Sequence, residues 1–344
     1  SDFEALVPRI YAEAESVAAY GGEELTPPRY GEVFISVKPF NGVYLSSAVK
    51  ENIKNELRKF SCAGIITKIL DLKYLFLESD STVYYDTSKA SSPEFVKNSI
   101  VDNIILYSNS SQLNKFGARF KYSKYVGMID NSQSSITSNI THIYMRRDLE
   151  PALNTYAEYE ICYGNRIHIK SEDGYNIKSS GFYVSGISDC VYMGDLPGKD
   201  LKTGTVFLFK LNSPTQPVVV KRAIGVIDYV KGEIMLNPLN VISTKVTRGV
   251  TGAEVPVIEI SMSPYSNDVI GLQDLYLQLD NGNTKVTMIP DEISSGTNVS
   301  GTSYKVTSSY ANGSLVRGTP HLTTGNDTSS SNGNGTTGTS TVTY

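Results

Sequence analysis

Two carboxylates in the run AEYEICY, Glu158 and Glu160, have a spacing that could serve catalysis. Residues i and i+2 of a strand project from one face, and a retaining glycosidase holds its two carboxylates about 5–5.5 Å apart. The same pair is ordinary on a solvated strand face, and the chain has no tryptophan to act as a sugar platform. Cys162 and His168 come nearest to a metal-ligand pair. Zinc ligands, however, arrive with further Cys, His or Asp partners at fixed spacing. His142, His321, Cys62 and Cys190 are too scattered to supply them. The pair reads as a buried thiol and a strand-end histidine. There is no GxSxG elbow, no GxxxxGK[ST] loop and no GxGxxG after a strand. Gly21-Gly22 follows a helical pattern instead of opening one, so it does not read as a phosphate cradle. Glu78, Asp80 and Asp280 stand beside turn signals, where acidic side chains cap the backbone. The expectation is no catalytic, cofactor or metal residues, with interface residues not assignable.

The chain that must position these groups has 344 residues, 40% of them hydrophobic, enough for two or three domains with real cores. Its formal net charge of -4 gives no drive toward nucleic acid or an anionic membrane surface. Basic residues come singly or in pairs such as Arg146-Arg147 and Lys221-Arg222. Three widely spaced cysteines imply reduced thiols and synthesis in a cytoplasm rather than a disulfide scaffold. No apolar run approaches the roughly 20 residues of a membrane helix, and no signal peptide is visible. The start at Ser1 predicts a fragment or processed product lacking an N-terminal portion. Tyrosine, at 23 residues against 11 phenylalanines, suits half-buried strands and interfaces.

Residues 1–20 read as a helix with Leu6, Ile10, Ala14 and Val17 near helical spacing, ended by Gly21-Gly22. Residues 31–38 read as a strand. Leu45, Val49, Ile53 and Leu57 place one apolar stripe on a helix over 47–60, capped by a serine at 46 or 47. Strands follow near 65–70 and 72–85, the latter interrupted at Glu78 to Ser81. Ser92 and Pro93 then open a helix with Phe95, Val96, Ile100, Ile104 and Ile105 as its apolar side. From about 118 the pattern is mostly β, with strands at 155–161, 166–170, 182–187, 205–211, 217–227, 233–236, 256–262, 272–279 and 285–289. Hairpins are expected at 225–236, turning at Lys231-Gly232, and at 275–289, turning at Asn281-Gly282. The fold class is therefore α+β: an N-terminal mixed helix/strand domain over 1–150, then a mainly antiparallel β-rich domain over 151–292. A Ser/Thr/Gly/Asn-rich, low-complexity C-terminal extension over 293–344 follows, too polar to offset its own ordering entropy.

The stretch Tyr11 to Pro39 runs from a helical pattern through Gly21-Gly22 and Pro27-Pro28 into a strand with Val33, Ile35 and Val37 on one face. Residues 107–141 carry a helix end, a second short helix over Tyr122 to Asp130 and a strand from Ile136. Together with the hairpin at Gly225 to Tyr229, this ordered set resembles the baseplate wedge subunits of T-even contractile-tailed bacteriophages, in the wider baseplate J-like group. The likeness covers residues 7–240 and is densest over 11–145. The resemblance implies a structural protein of the virion tail baseplate, made in the bacterial host cytoplasm. It implies a homodimer joined to other baseplate wedge proteins in a ring of sixfold repetition around the tail hub. Rearrangement of that ring would release sheath contraction, with no cofactor, nucleic acid or membrane involved.

Two other classes compete with an assembly role. A β-rich virion-surface adhesin or glycan-binding module would show exposed aromatics clustered on loops. A glycosidase would use Glu158 and Glu160 as its carboxylate pair.

Overall fold

A computed structural model describes residues 2–291 apart from 26, 43, 62–63, 111, 114, 170–174, 214–215 and 251–252. It also describes the backbone of two short strands in the C-terminal extension. The order begins α1 (Asp2–Ile10), β1 (Ala14–Gly21), β2 (Glu32–Pro39), α2 (Ser47–Leu57), β3 (Ile66–Leu70), β4 (Lys73–Tyr85) and α3 (Pro93–Ser108). It continues with β5 (Arg119–Phe120), α4 (Tyr122–Asp130), β6 (Ile136–Leu149), β7 (Tyr156–Cys162), β8 (Lys178–Ser179), β9 (Phe182–Val184) and β10 (Tyr192–Pro197). Then come β11 (Thr203–Ser213), β12 (Gln216–Asp228), β13 (Glu233–Thr244), β14 (Val246–Val250), β15 (Ala253–Met262), β16 (Val269–Ile270), β17 (Leu275–Leu279) and β18 (Lys285–Pro290). β19 (Tyr304–Val306) and β20 (Ser340–Val342) pair with each other. The described residues are mostly strand, with four α-helices. Most of the C-terminal extension lies outside them.

The first unit is a three-stranded sheet, β1-β2-β3, under α1 and α2. Here the helix expected over residues 1–20 is corrected. It stops at Ile10, and the alanine-rich residues 14–21 are a strand paired antiparallel with β2, Val17 opposite Val37 and Ala19 opposite Ile35. Alanine favours a helix, but pairing with the Ile35/Val37 strand and packing against its core outweigh that weak preference. The α2 stripe behaves as its spacing predicts. Ile53 and Leu57 are buried with Val7, Ile35 and Val37, and Val49 packs beside them. Ser46 caps the helix, its hydroxyl accepting from Val49 N at 3.4 Å.

The second unit is a seven-stranded sheet, β14-β15-β6-β4, with β17 and β18 both on the free side of β4 and β8 on β15. Helix α3 lies on it: Val96, Ile100 and Ile104 join Leu75, Leu77 and Val83 in the main core. Ser92 caps α3 by accepting from Phe95 N at 3.1 Å. Phe95 itself is 52% exposed, so the apolar stripe is narrower than its sequence promised. The break expected at Glu78 to Ser81 is absent. β4 pairs with β6 without interruption there, because its buried polar groups find partners. Ser79 Oγ and Tyr125 Oη lie 2.7 Å apart, and Thr141 Oγ1 bonds Ser81 Oγ at 2.9 Å.

The hairpin expected at 275–289 is also corrected. β17 and β18 do not pair with each other. Each pairs parallel with β4, end to end: Leu277 opposite Leu75 and Thr287 opposite Thr82. Residues 280–284 bulge out and return to the same line, tied by Gly282 N and Asn283 Nδ2 on the Asp280 carboxylate and by Thr284 Oγ1 on the Asp280 carbonyl. Asn-Gly favours a tight reversal, but the unpaired edge of β4 offers the chain a longer register.

The third unit is the sheet β10-β11-β12-β13-β7, with β9 on the second half of β13. All of its strands lie between residues 156 and 244, yet β6 before it and β15 after it are antiparallel neighbours, Leu149 opposite Ile258. The sheet therefore leaves and re-enters the second unit between two paired strands. Its hairpin at 225–236 forms as predicted, with Gly232 at φ 76° and Asp228 Oδ1 accepting from Val230 N and Lys231 N. A side chain at 232 would strike Asn165 O, so the turn needs glycine. The strand expected at 166–170 is not one. Ile167 makes a single bridge to Pro264.

Candidate assembly surfaces

The residue pairs that could have done chemistry do not converge. Glu158 and Glu160 are both exposed on the outer face of β7, which among the described residues pairs only with β13. Cys162 ends β7, while His168 N bonds Ser263 O and its ring is exposed. Among the described residues no group of three or more His, Cys, Asp and Glu could hold a metal. Burial raises the Cys162 thiol pKa, which disfavours a reactive thiolate. His321 and Cys62 lie outside the described residues. No described helix is long and apolar enough to cross a membrane.

A buried charge cluster with no local sequence signal lies between the strands of the second unit. Arg146, read as one half of an ordinary basic pair, is wholly buried on β6. Its guanidinium meets Glu78 at 2.6 Å, Asp280 at 2.5 Å and Asp148 at 2.7 Å, and stacks 4.2 Å above the Phe76 ring. Arg248 on β14 extends the network to Asp148 at 2.9 Å and to Glu259 on β15 at 2.5 Å. Burial pushes the Asp280 carboxyl pKa up, but Arg146, Asn283 and Arg248 outweigh it and leave the value below the ordinary one. At Asp148 burial prevails over both arginines, with Glu259 adding to it, and the pKa is raised. This network clamps β14 and β15, which follow the third unit, and the 280 bulge onto β4 and β6, which precede it.

The first two units meet along an aromatic seam. The Tyr44 ring lies 6.1 Å from Tyr74, Tyr74 5.9 Å from Tyr276, and Phe116 5.2 Å from Tyr276, all edge-on. Such pairs add to the area they bury. Beside the seam Phe116 N bonds Ser16 Oγ at 3.3 Å, and a cleft of about 330 Å³ runs along the free side of β1, lined by Glu4, Tyr20, Phe116 and Gln273.

The third sheet has an apolar residue row on its outward face. Register places Leu196, Thr205, Val226, Met235 and Glu160 side by side across five strands. Leu196 is 63% exposed, Val226 54% and Met235 61%. On the same face Phe207 and Phe209 are covered by Tyr175, whose ring is 4.8 Å from Phe207, and Val219 opposite Phe209 is 47% exposed.

Comparison with known proteins follows these structural joints. Residues 1–70 match the family model described as baseplate structural protein gp6, C-terminal domain I, and residues 73–148 match its C-terminal domain III. Over residues 1–148 the chain is thus similar to gp6-type baseplate wedge proteins. The chain is 30% identical over 142 residues to baseplate wedge protein gp6 of Enterobacteria phage T4, a stretch covering 41% of this chain and 21% of that protein. The boundary between the two gp6 matches falls between β3 and β4, where the first sheet ends and the second begins. The gp6 domain III match ends within β6, where the chain departs into the third sheet. The 225–236 hairpin, which carried part of the resemblance, lies outside both matches. The family is a structural one by its description.

Proposed function

We propose that this chain is a structural subunit of a phage tail baseplate wedge, which associates with itself and with other wedge proteins. On this reading it sits in the virion baseplate, made in the host cytoplasm, and contributes to a ring around the tail hub whose rearrangement triggers sheath contraction. The observation that carries the reading is the pair of gp6 domain matches, consecutive, the first spanning the whole first sheet and the second the opening strands β4 and β6 of the second. The buried Arg146 network and the aromatic seam support it mechanically. They tie the units internally, so that motion falls on contacts between subunits instead of within one. The β-rich region is best divided differently from a simple 151–292 domain: the second sheet is built mainly from residues 73–149 and 246–290, and the third is an insertion within it.

Light scattering of the purified chain over a concentration series, alone and mixed with the other wedge proteins of the same phage, tests this function. A closed homo-oligomer that takes up wedge proteins is expected. A chain that stays at 37.6 kDa and binds none of them would overturn the reading.

A further inference from the structure

One face of the third sheet packs into the main core through Val206, Leu208, Ile227, Ile234 and Leu236. An antiparallel sheet normally turns a polar face to water on its other side. Here that face carries Leu196, Val226, Met235 and Val219, each about half exposed or more. Scattered exposed apolar side chains need no explanation, but three of these stand in a single cross-strand row, which is a contiguous patch. At their exposures the four side chains offer on the order of 400 Å² of apolar surface, against roughly 450 Å² that one side of a standard interface of about 800 Å² per partner contains.

We propose that this face is a two-fold interface between copies of the chain, with Leu196 of one copy against Met235 of the other. The inference rests on the self-association in the proposed function and names its surface. Two features select a second copy as the occupant. The exposed apolar area matches what one side of a dimer must bury. The row Leu196–Thr205–Val226–Met235 is also self-complementary under a two-fold axis lying in the interface, parallel to the strands, between β11 and β12. That axis reverses the row, so the long side chains at its two ends meet each other and Thr205 meets Val226. An isologous contact demands this pattern. Two such faces stack as aligned sheets about 10 Å apart, which side chains of this size fill. Glu160, the next residue in the row, begins the polar rim.

The test is the solution mass of the full chain and of two variants. Met235→Glu places a carboxylate against Leu196 of the other copy, at the end of the apolar row, without touching the folded core, since Met235 is 61% exposed. Leu106→Glu makes the same change on α3, the helix of the second unit, at a residue 69% exposed. The expected result is a wild type at twice 37.6 kDa, Met235→Glu dissociating at concentrations about tenfold or more higher, and Leu106→Glu unchanged. Mixing Leu196→Cys chains with Met235→Cys chains under oxidising conditions should give a mixed disulfide dimer beyond the wild-type background. If the wild type self-associates and Met235→Glu does so equally well, this face is not the interface, and the proposed function stands. A wild type that remains monomeric throughout overturns this inference, and the proposed function falls with it only if the chain also binds none of the other wedge proteins.

Discussion

Arg146 Nη1 lies 2.6 Å from Glu78 Oε1, across the β6–β4 pairing, with the arginine side chain wholly out of water. The same nitrogen holds Asp280, so one cation joins two strands and the bulge between β17 and β18. Taking ions out of water is costly, and the pairing repays it only while every partner is present.

Arg146→Met is therefore expected to lower the stability of the chain by about 3–5 kcal/mol, because it strands buried carboxylates rather than because it removes a favourable pair. Urea unfolding would read this as a lower midpoint. Replacing Arg146, Glu78 and Asp280 together by apolar residues of similar size should recover much of the loss. A single variant no less stable than wild type would mean that water reaches the cluster.

The two aspartates of the network should leave opposite marks on the pH dependence of stability. Asp280 has a folded pKa below the ordinary aspartate value, so its contribution is complete above that ordinary value and disappears as pH falls through the lowered one. Asp148 has a folded pKa above 3.8, so the folded chain prefers it protonated; that contribution is present at low pH and disappears as pH rises through the raised value. Urea midpoints taken from about pH 2 to about pH 7 should show Asp280→Asn losing part of the acid-side fall and Asp148→Asn losing part of the decline above the ordinary carboxylate range. The slopes carry the test, since either variant also changes absolute stability.

The parallel placement of β17 and β18 on β4 gives a direct covalent test. Thr82 and Thr287 are register partners, so their Cα atoms fall in the range a disulfide spans. Thr82→Cys with Thr287→Cys should oxidise to an intramolecular bond. Gln278→Cys with Lys285→Cys would face each other in a hairpin turning at Asn281-Gly282 and should not. The reverse outcome would restore the hairpin.

These cases show what the sequence could say. Local signals spoke clearly: Ser92 with Pro93, the 3.6-residue stripe of Leu45 to Leu57, and the Lys231-Gly232 turn all report on neighbours within one element, and the structure agrees. Residues 14–21 misled because alanines carry helix propensity, whereas the decision lay with β2, some twenty residues on. Asn281-Gly282 misled because its alternative partner, β4, is about two hundred residues earlier in the chain. Arg146 looked like any surface base for the same reason. Its partners Glu78 and Asp280 are brought in by topology, and the insertion of a whole sheet between β6 and β15 leaves no local trace. The apolar row needed the register itself, since Leu196, Val226 and Met235 each look solitary in sequence.

Tyr276 offers the last test, at the seam between the first two units. Its side chain is 1% exposed, and its hydroxyl is buried with no hydrogen-bond partner among the described residues. Burial raises the phenol pKa, with a smaller push from Glu15, so the group stays neutral at any ordinary pH. A neutral hydroxyl without a partner still forfeits its water, at about 1–3 kcal/mol. The ring, by contrast, is engaged edge-on with both Tyr74 and Phe116. Tyr276→Phe keeps those contacts and removes the stranded oxygen, so it should raise stability by up to about 1 kcal/mol. Tyr276→Ala opens a cavity in the seam and should cost about 3–5 kcal/mol, as aromatic truncations in cores do. Thermal and urea unfolding of the two variants read both signs. A loss of stability in Tyr276→Phe comparable to that in Tyr276→Ala would show that the hydroxyl is bonded after all, and that the seam is held by a polar contact instead of by its rings.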